Sequence, residues 1–177
     1  MQEISNGAGN KVVRAVALPA GAGIAHLYPG SNLADAYAVA LPTAQARQMD
    51  MPSLARIVLG SQPRWAQWLM AVRDAIVARF GIKTARQLEG KPGKRIGIFR
   101  IYSVSDDEII VGEDDSHLDF RLSVLRDRNA GRHGSVTVSS VVHCHNRVGR
   151  GYILLIRPFH TLIVRRSLAR AVKGGFA

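Results

Sequence analysis

Apolar and polar positions along the chain fall into periods that change several times. Asp35 to Leu41 alternates, with Tyr37, Val39 and Leu41 on one face and small alanines on the other, which predicts a strand. Two helices are predicted next. Pro52 opens the first, Leu54, Ile57 and Val58 form its apolar stripe, and Gly60 stops it. Ser61 and Pro63 open the second. Its large apolar residues, Trp65, Trp68, Leu69, Val72, Ile76 and Phe80, make one continuous helical stripe closed by Gly81. That stripe reads as core packing, with a ligand-pocket wall as the rarer alternative. Strands are then predicted over Ile96–Val104, Glu108–Gly112, His117–Arg126 and Ser135–His145, joined by Gly-, Asp- and Asn-containing turns as in an antiparallel meander. Gly149–Val172 is apolar on most sides, so a helix buried between layers is expected, kinked or split at Pro158. Before all of these, Lys11–Leu18 fits a short strand within a Gly-, Ala- and Pro-rich stretch.

This order predicts an α+β helix-grip domain: an antiparallel sheet of four to six strands packed on a long C-terminal helix, with two shorter helices after the first strand. Residues 1–32 are expected to form an extended or loosely ordered arm, and 33–173 a single domain.

Strands His117–Arg126 and Ser135–His145 each sort into an apolar and a polar face. Leu118, Phe120, Leu122 and Val124 oppose His117, Asp119, Arg121 and Ser123; Val136, Val138, Val142 and Cys144 oppose Thr137, Ser139, His143 and His145. The polar faces coincide only if paired residue numbers sum to an even value. A sum of 260 or 262 sets His143 opposite His117 or Asp119. His117, Asp119, Arg121 and His143 are therefore candidates for acid–base chemistry, a carboxylate orienting a histidine beside an arginine. The competing reading is an ordinary wet sheet face with cross-strand ion pairs. His160 reads either as a hydrogen-bonded core residue or as the lining of an internal cavity.

Composition narrows the classes. The 177 residues suit one domain. The single cysteine, Cys144, excludes an intrachain disulfide and a Cys-rich metal site. His143 and His145 have no third ligand at motif spacing, so no metal is expected. Tyr152 to Val164 is too short to span a bilayer and is interrupted by Arg157 and His160. No phosphate loop, nucleophile elbow or other cofactor motif is present, so no cofactor is expected. Without a basic start and clean apolar run at the N-terminus, the expectation is a cytoplasmic protein.

The net charge of +11 is uneven. Residues 106–119 hold seven acids and no cation, between segments 61–105 at +7 and 120–177 at +10. Apolar residues interleave the acids, so the window reads as folded structure that neutralises its basic flanks. The scattered arginines and the lack of an aromatic–basic RNA-binding motif argue against a nucleic-acid partner.

The stretch Gly112-Glu-Asp-Asp-Ser-His117-Leu-Asp119-Phe-Arg121 resembles the Asp-x-His-Leu-Asp-Phe-Arg core of a bacterial family of uncharacterised domains. Pro63-Arg-Trp65 through Leu69-Met-Ala-Val-Arg73-Asp, and Asn146-Arg-Val-Gly149 through Pro158-Phe-His160, are similar to that family as well. Some members lie behind short-chain-dehydrogenase-like NAD(P)-binding domains. The family is similar to the helix-grip class of START, polyketide-cyclase-like and pollen-allergen-like proteins (SRPBCC), which hold hydrophobic ligands between sheet and helix. The resemblance implies an apolar or amphipathic small-molecule partner in a pocket walled by Trp65, Trp68, Phe120, Tyr152, Phe159 and His160. Two other readings stand beside it: an enzyme of cyclase or dehydratase type using His117, Asp119 and His143, and a non-catalytic homo-oligomerisation module whose polar sheet face is the interface.

Overall fold

A computed structural model describes residues 13–60 and 94–175. Seven antiparallel strands form one sheet: β1 (Val13–Ala15), β2 (Leu33–Ala40), β3 (Arg95–Ile96), β4 (Phe99–Val104), β5 (Glu108–Asp114), β6 (Leu118–Asp127) and β7 (Ser135–Cys144). Their order in the sheet is β1-β2-β7-β6-β5-β4-β3. Two short helices, α1 (Ala44–Gln48) and α2 (Met51–Gly60), follow β2, and a long helix, α3 (Arg147–Arg170), follows β7. The α+β class, the antiparallel meander and the C-terminal helix are thus as expected from the sequence. The second expected helix, with Trp65 and Trp68, lies outside the described residues.

The strand count exceeds the expected four to six for a local reason. Ile96–Val104 is not one strand, because Gly97 takes a left-handed backbone (φ +57°) and turns the chain back as the β3–β4 hairpin. Helix α1 was not foreseen. Thr43 caps it, its hydroxyl accepting from the Ala46 amide at 3.1 Å.

The β6–β7 register pairs Asp119 with His143, a sum of 262, so the alternation in the two strands did set the pairing. One face of the sheet packs on the helices. Val39, Val111, Val124, Val136 and Val138 meet Leu54 and Val58 of α2 and Leu168 of α3. A second cluster, Leu33, Leu118, Val142 and Ile153, gathers Phe120, Tyr152 and Ile156 near the start of α3.

Helix α3 narrows two expectations. It runs through Pro158 as one helix, so the proline does not split it in two. Proline cannot donate to the carbonyl of Leu154, but Leu154 is 72% exposed, so water reaches that acceptor and the helix is not forced to break. Nor is α3 buried all round: Leu154, Leu155, Phe159 and Leu162 are exposed, because a sheet packed on one side leaves the other side of the helix to solvent.

The opposite face of the sheet is covered in part by residues 16–32. Ala22 and Ile24 are buried against Val141, with Leu27, Tyr28, Ile110 and Leu125 around them. The Gly23 amide donates to both oxygens of the Glu108 carboxylate at 3.0 Å, and the Ser123 hydroxyl donates to the same carboxylate at 2.5 Å. A Cβ on Gly23 would meet the Ile110 methyl at 2.8 Å, so glycine permits this close approach.

The acidic window pairs with arginines and one histidine on neighbouring elements. Asp107 meets Arg126 and Arg128, Glu113 meets Arg95, Asp114 meets Arg121, and Asp119 meets His145.

Candidate functional site

The polar residues that alternation singled out are placed on the face away from the helices, in separate hydrogen-bond sets. Asp119 faces His143 in register, yet its carboxylate pairs with His145 Nε2 at 3.0 Å and accepts from the Asp115 amide at 3.2 Å. His143 Nε2 lies 2.7 Å from the Leu27 carbonyl oxygen. A carbonyl only accepts, so Nε2 carries the hydrogen there. Arg121 binds Asp114 at 2.7 Å, donates to the Phe120 carbonyl at 2.8 Å, and lies over the Tyr102 ring with its guanidinium carbon 3.8 Å from the centroid. His117 Nδ1 accepts from the Asn146 side-chain amide at 2.9 Å. Asn146 also caps α3, its oxygen accepting from the Gly149 amide at 3.0 Å. The structure therefore does not gather His117, Asp119, Arg121 and His143 around a common point.

Electrostatics on that face are strongest around Tyr102 and Asp114. Burial and a hydrogen bond to Asp114 raise the Tyr102 phenol to about 12. Burial pulls the Asp114 carboxyl upward, but hydrogen bonds from Tyr102 and Arg121 outweigh it and hold the group below its ordinary value. The Cys144 thiol is pushed up by burial, which disfavours the thiolate a nucleophile needs. Among the described residues no group of three or more His, Cys, Asp or Glu is placed to hold a metal ion.

A different polar set lies on the helix-facing side. Register places Asp35, Ser140, Leu122, Val111 and Ile101 in one row across β2, β7, β6, β5 and β4. Leu33, Val142, Phe120 and Glu113 form the adjacent row. Asp35 meets His160 of α3, Oδ1 to Nε2 at 3.3 Å, with about four-fifths of each side chain buried. One residue on, the Tyr37 hydroxyl donates to Thr161 Oγ1 at 3.3 Å. Ser140, opposite Asp35, is 1% exposed, and its hydroxyl has no hydrogen-bond partner among the described residues. Across the sheet, Glu113 and Arg95 form an ion pair at 2.7 Å with both side chains over nine-tenths buried.

Between these polar ends stand Phe99, Ile101, Phe120 and Leu122. Phe99 and Phe120 meet edge to face, centroids 5.9 Å apart. All four belong to the sheet's helix side, yet each is only partly buried, unlike Val111, Val124 and Val138 in the neighbouring positions. From β2 to β5 is three strand spacings, about 14 Å. The surface is thus an apolar strip with a carboxylate–imidazole pair and an idle hydroxyl toward one end, and a buried ion pair toward the other.

Of the expected pocket residues, Phe120, Tyr152 and His160 lie at this sheet–helix interface. Phe159 is 43% exposed and belongs to none of the packed clusters. Trp65 and Trp68 are outside the described residues. Sequence reasoning missed Asp35, Ser140, Glu113 and Arg95. The first three carried a legible signal: each holds a polar side chain at a position whose parity along its strand is otherwise apolar.

No curated protein and no solved structure matches this chain. A family model does match, over residues 27–167, from the approach to β2 almost to the end of α3. That span includes the helix-facing rows and the Asp-x-His-Leu-Asp-Phe-Arg stretch, and it is well over half of the chain, so the protein belongs to the family described as "Protein of unknown function (DUF2867)".

Proposed function

We propose that the protein binds a small amphipathic molecule between the helix-facing side of the sheet and α3. The observation that carries this reading is the partial burial of Phe99 and Ile101 on β4 and of Phe120 and Leu122 on β6, on the helix side of the sheet beside Val111, Val124 and Val138, which are buried. Apolar side chains left incompletely covered between two layers favour an apolar ligand. The polar groups at the ends of the strip supply orientation: Ser140 and the imidazole of His160 offer a donor or an acceptor, and Arg95 a cation already balanced by Glu113. Kinship with the START and polyketide-cyclase-like class is part of the proposal. It is supported by the order of strand, helices, meander and long helix.

An enzymatic reading is a second proposal, and one contact favours it. A carboxylate that holds a histidine is the arrangement a general base needs, and Asp35 and His160 supply it inside the fold.

The test is saturable binding of an anilinonaphthalene sulfonate probe. Leu122→Trp fills the strip and is expected to abolish the fluorescence gain while the protein stays folded. His160→Gln removes the imidazole and is expected to weaken binding severalfold. Equal probe binding by wild type and Leu122→Trp would sink the reading.

A further inference from the structure

Helix α3 carries six arginines, Arg147, Arg150, Arg157, Arg165, Arg166 and Arg170, and no acidic residue. At 100° per residue, its buried positions (Gly149, Ile153, Ser167, Leu168) centre on one side. The opposite side is apolar through the middle of the helix: Leu154, Leu155 and Pro158, then Phe159 and Leu162. Leu154 and Leu155 stand out furthest, at 72% and 53% exposed. Exposed arginines lie beyond both ends of this ridge and on its side of the helix, Arg147 before it and Arg166 and Arg170 after it, whereas Arg150 and Arg157, exposed as well, lie round toward the buried side. No ion pair joins any of these five to another described residue.

We infer that this side of α3 docks on an anionic lipid bilayer surface. The helix is not long and apolar enough to cross a membrane, so it lies along the interface. Charge selects this occupant over a second copy of the chain, which would bring its own Arg147, Arg166 and Arg170 against the first set. Shape selects it over an acidic protein helix. The feature is a convex ridge rather than a groove, and the cations are spread along about 36 Å of helix. A planar anionic headgroup layer meets charges over that whole length and accepts protruding leucines without a matching surface.

The experiment is co-sedimentation of the full chain with phosphatidylcholine vesicles, with and without phosphatidylglycerol. Binding is expected to the anionic vesicles, weak to phosphatidylcholine alone, and falling as salt rises. Leu154→Ser with Leu155→Ser is expected to weaken binding tenfold or more, and Arg147→Gln and Arg166→Gln about fivefold each. Trp substituted at Leu155 is expected to shift its emission to the blue on anionic vesicles. Equal affinity for both vesicle types, or none, overturns the inference. So does a concentration-dependent dimer that the double serine variant dissociates, which makes a second copy the occupant. A large fall in melting temperature of that variant without vesicle binding overturns it too, because the chain itself then covers the ridge. Probe binding to the interior strip is unaffected by these surface variants, so failure here and failure of the ligand-binding reading are separable.

Discussion

Replacing Arg126 with methionine removes the best-connected cation described in the protein. Its side chain is 2% exposed. It donates to Asp107 at 2.9 Å, to the carbonyls of Arg47 and Met49 at 3.0 and 2.5 Å, and to the Asp106 carbonyl. One guanidinium thus ties the end of β6 to the α1–α2 corner and to the β4–β5 turn. Methionine keeps most of the apolar stem, so the loss is polar. Asp106 and Asp107 can turn to water, being exposed or partly so, and contribute little. The Arg47 and Met49 carbonyls are half-buried and lose their donor, at about 1–1.5 kcal/mol each, giving a total of about 2–3 kcal/mol. For a chain of this size that lowers the melting temperature by roughly 4–12 °C. Arg128→Met is the control. Arg128 shares the Asp107 carboxylate at 2.6 Å but is 41% exposed, so its removal is expected to cost about 0.5 kcal/mol or less. Thermal melts followed by circular dichroism compare the two. Equal shifts for both variants, or an Arg126→Met protein as stable as wild type, would refute the reasoning.

Acid is expected to weaken the fold. Burial works against ionised Asp107, but hydrogen bonds from Arg126 and Arg128 win and lower its pKa, and Asp114 is lowered likewise. Stability from groups held below the unfolded value of about 3.9 is complete above it and is lost as pH falls through the lower folded value. Urea midpoints measured down the pH scale should therefore drop below about pH 4, and less in Asp114→Asn than in wild type. At the alkaline end, Tyr102 is raised to about 12, so its stabilising contribution persists up to the unfolded value near 10 and disappears as pH rises through about 12. Tyrosinate absorbance should show one group titrating late, and Tyr102→Phe should remove that step. Gly149→Ala is expected to unseat the start of α3, because the new Cβ would lie 2.2 Å from the His117 carbonyl oxygen, a backbone atom that cannot swing away. Asn146→Ala, which removes the cap and the amide's bond to His117 Nδ1, should cost about 1–2 kcal/mol.

The sheet was legible because β6 alternates strictly from Leu118 to Val124 and β7 from Ser135 to Ser139, and parity alone then restricts the register. Gly97 was not recognised as a turn, since nothing in Ile96–Val104 interrupts the apolar pattern enough to split it. The four polar candidates are not brought together, for a more instructive reason. Collecting His117, Asp119, Arg121 and His143 followed the face where polar residues are common, and there each finds its own local partner. Asp35, Ser140 and Glu113 stand singly on the face where polar residues are rare, and such residues persist only with partners or a use. His160 was identified from its place on α3, but its partner Asp35 is 125 residues away and no local pattern links them.

The central claim is that the space between sheet and α3 holds a small amphipathic molecule. Native mass spectrometry of the protein purified from its own host tests it most directly. The account predicts a mass above that of the 177-residue chain, lost on mild activation as one small-molecule species and absent from Leu122→Trp. A bare chain mass for wild type, with no adduct retained from the host and none acquired from a panel of apolar acids, alcohols and ketones, would contradict it.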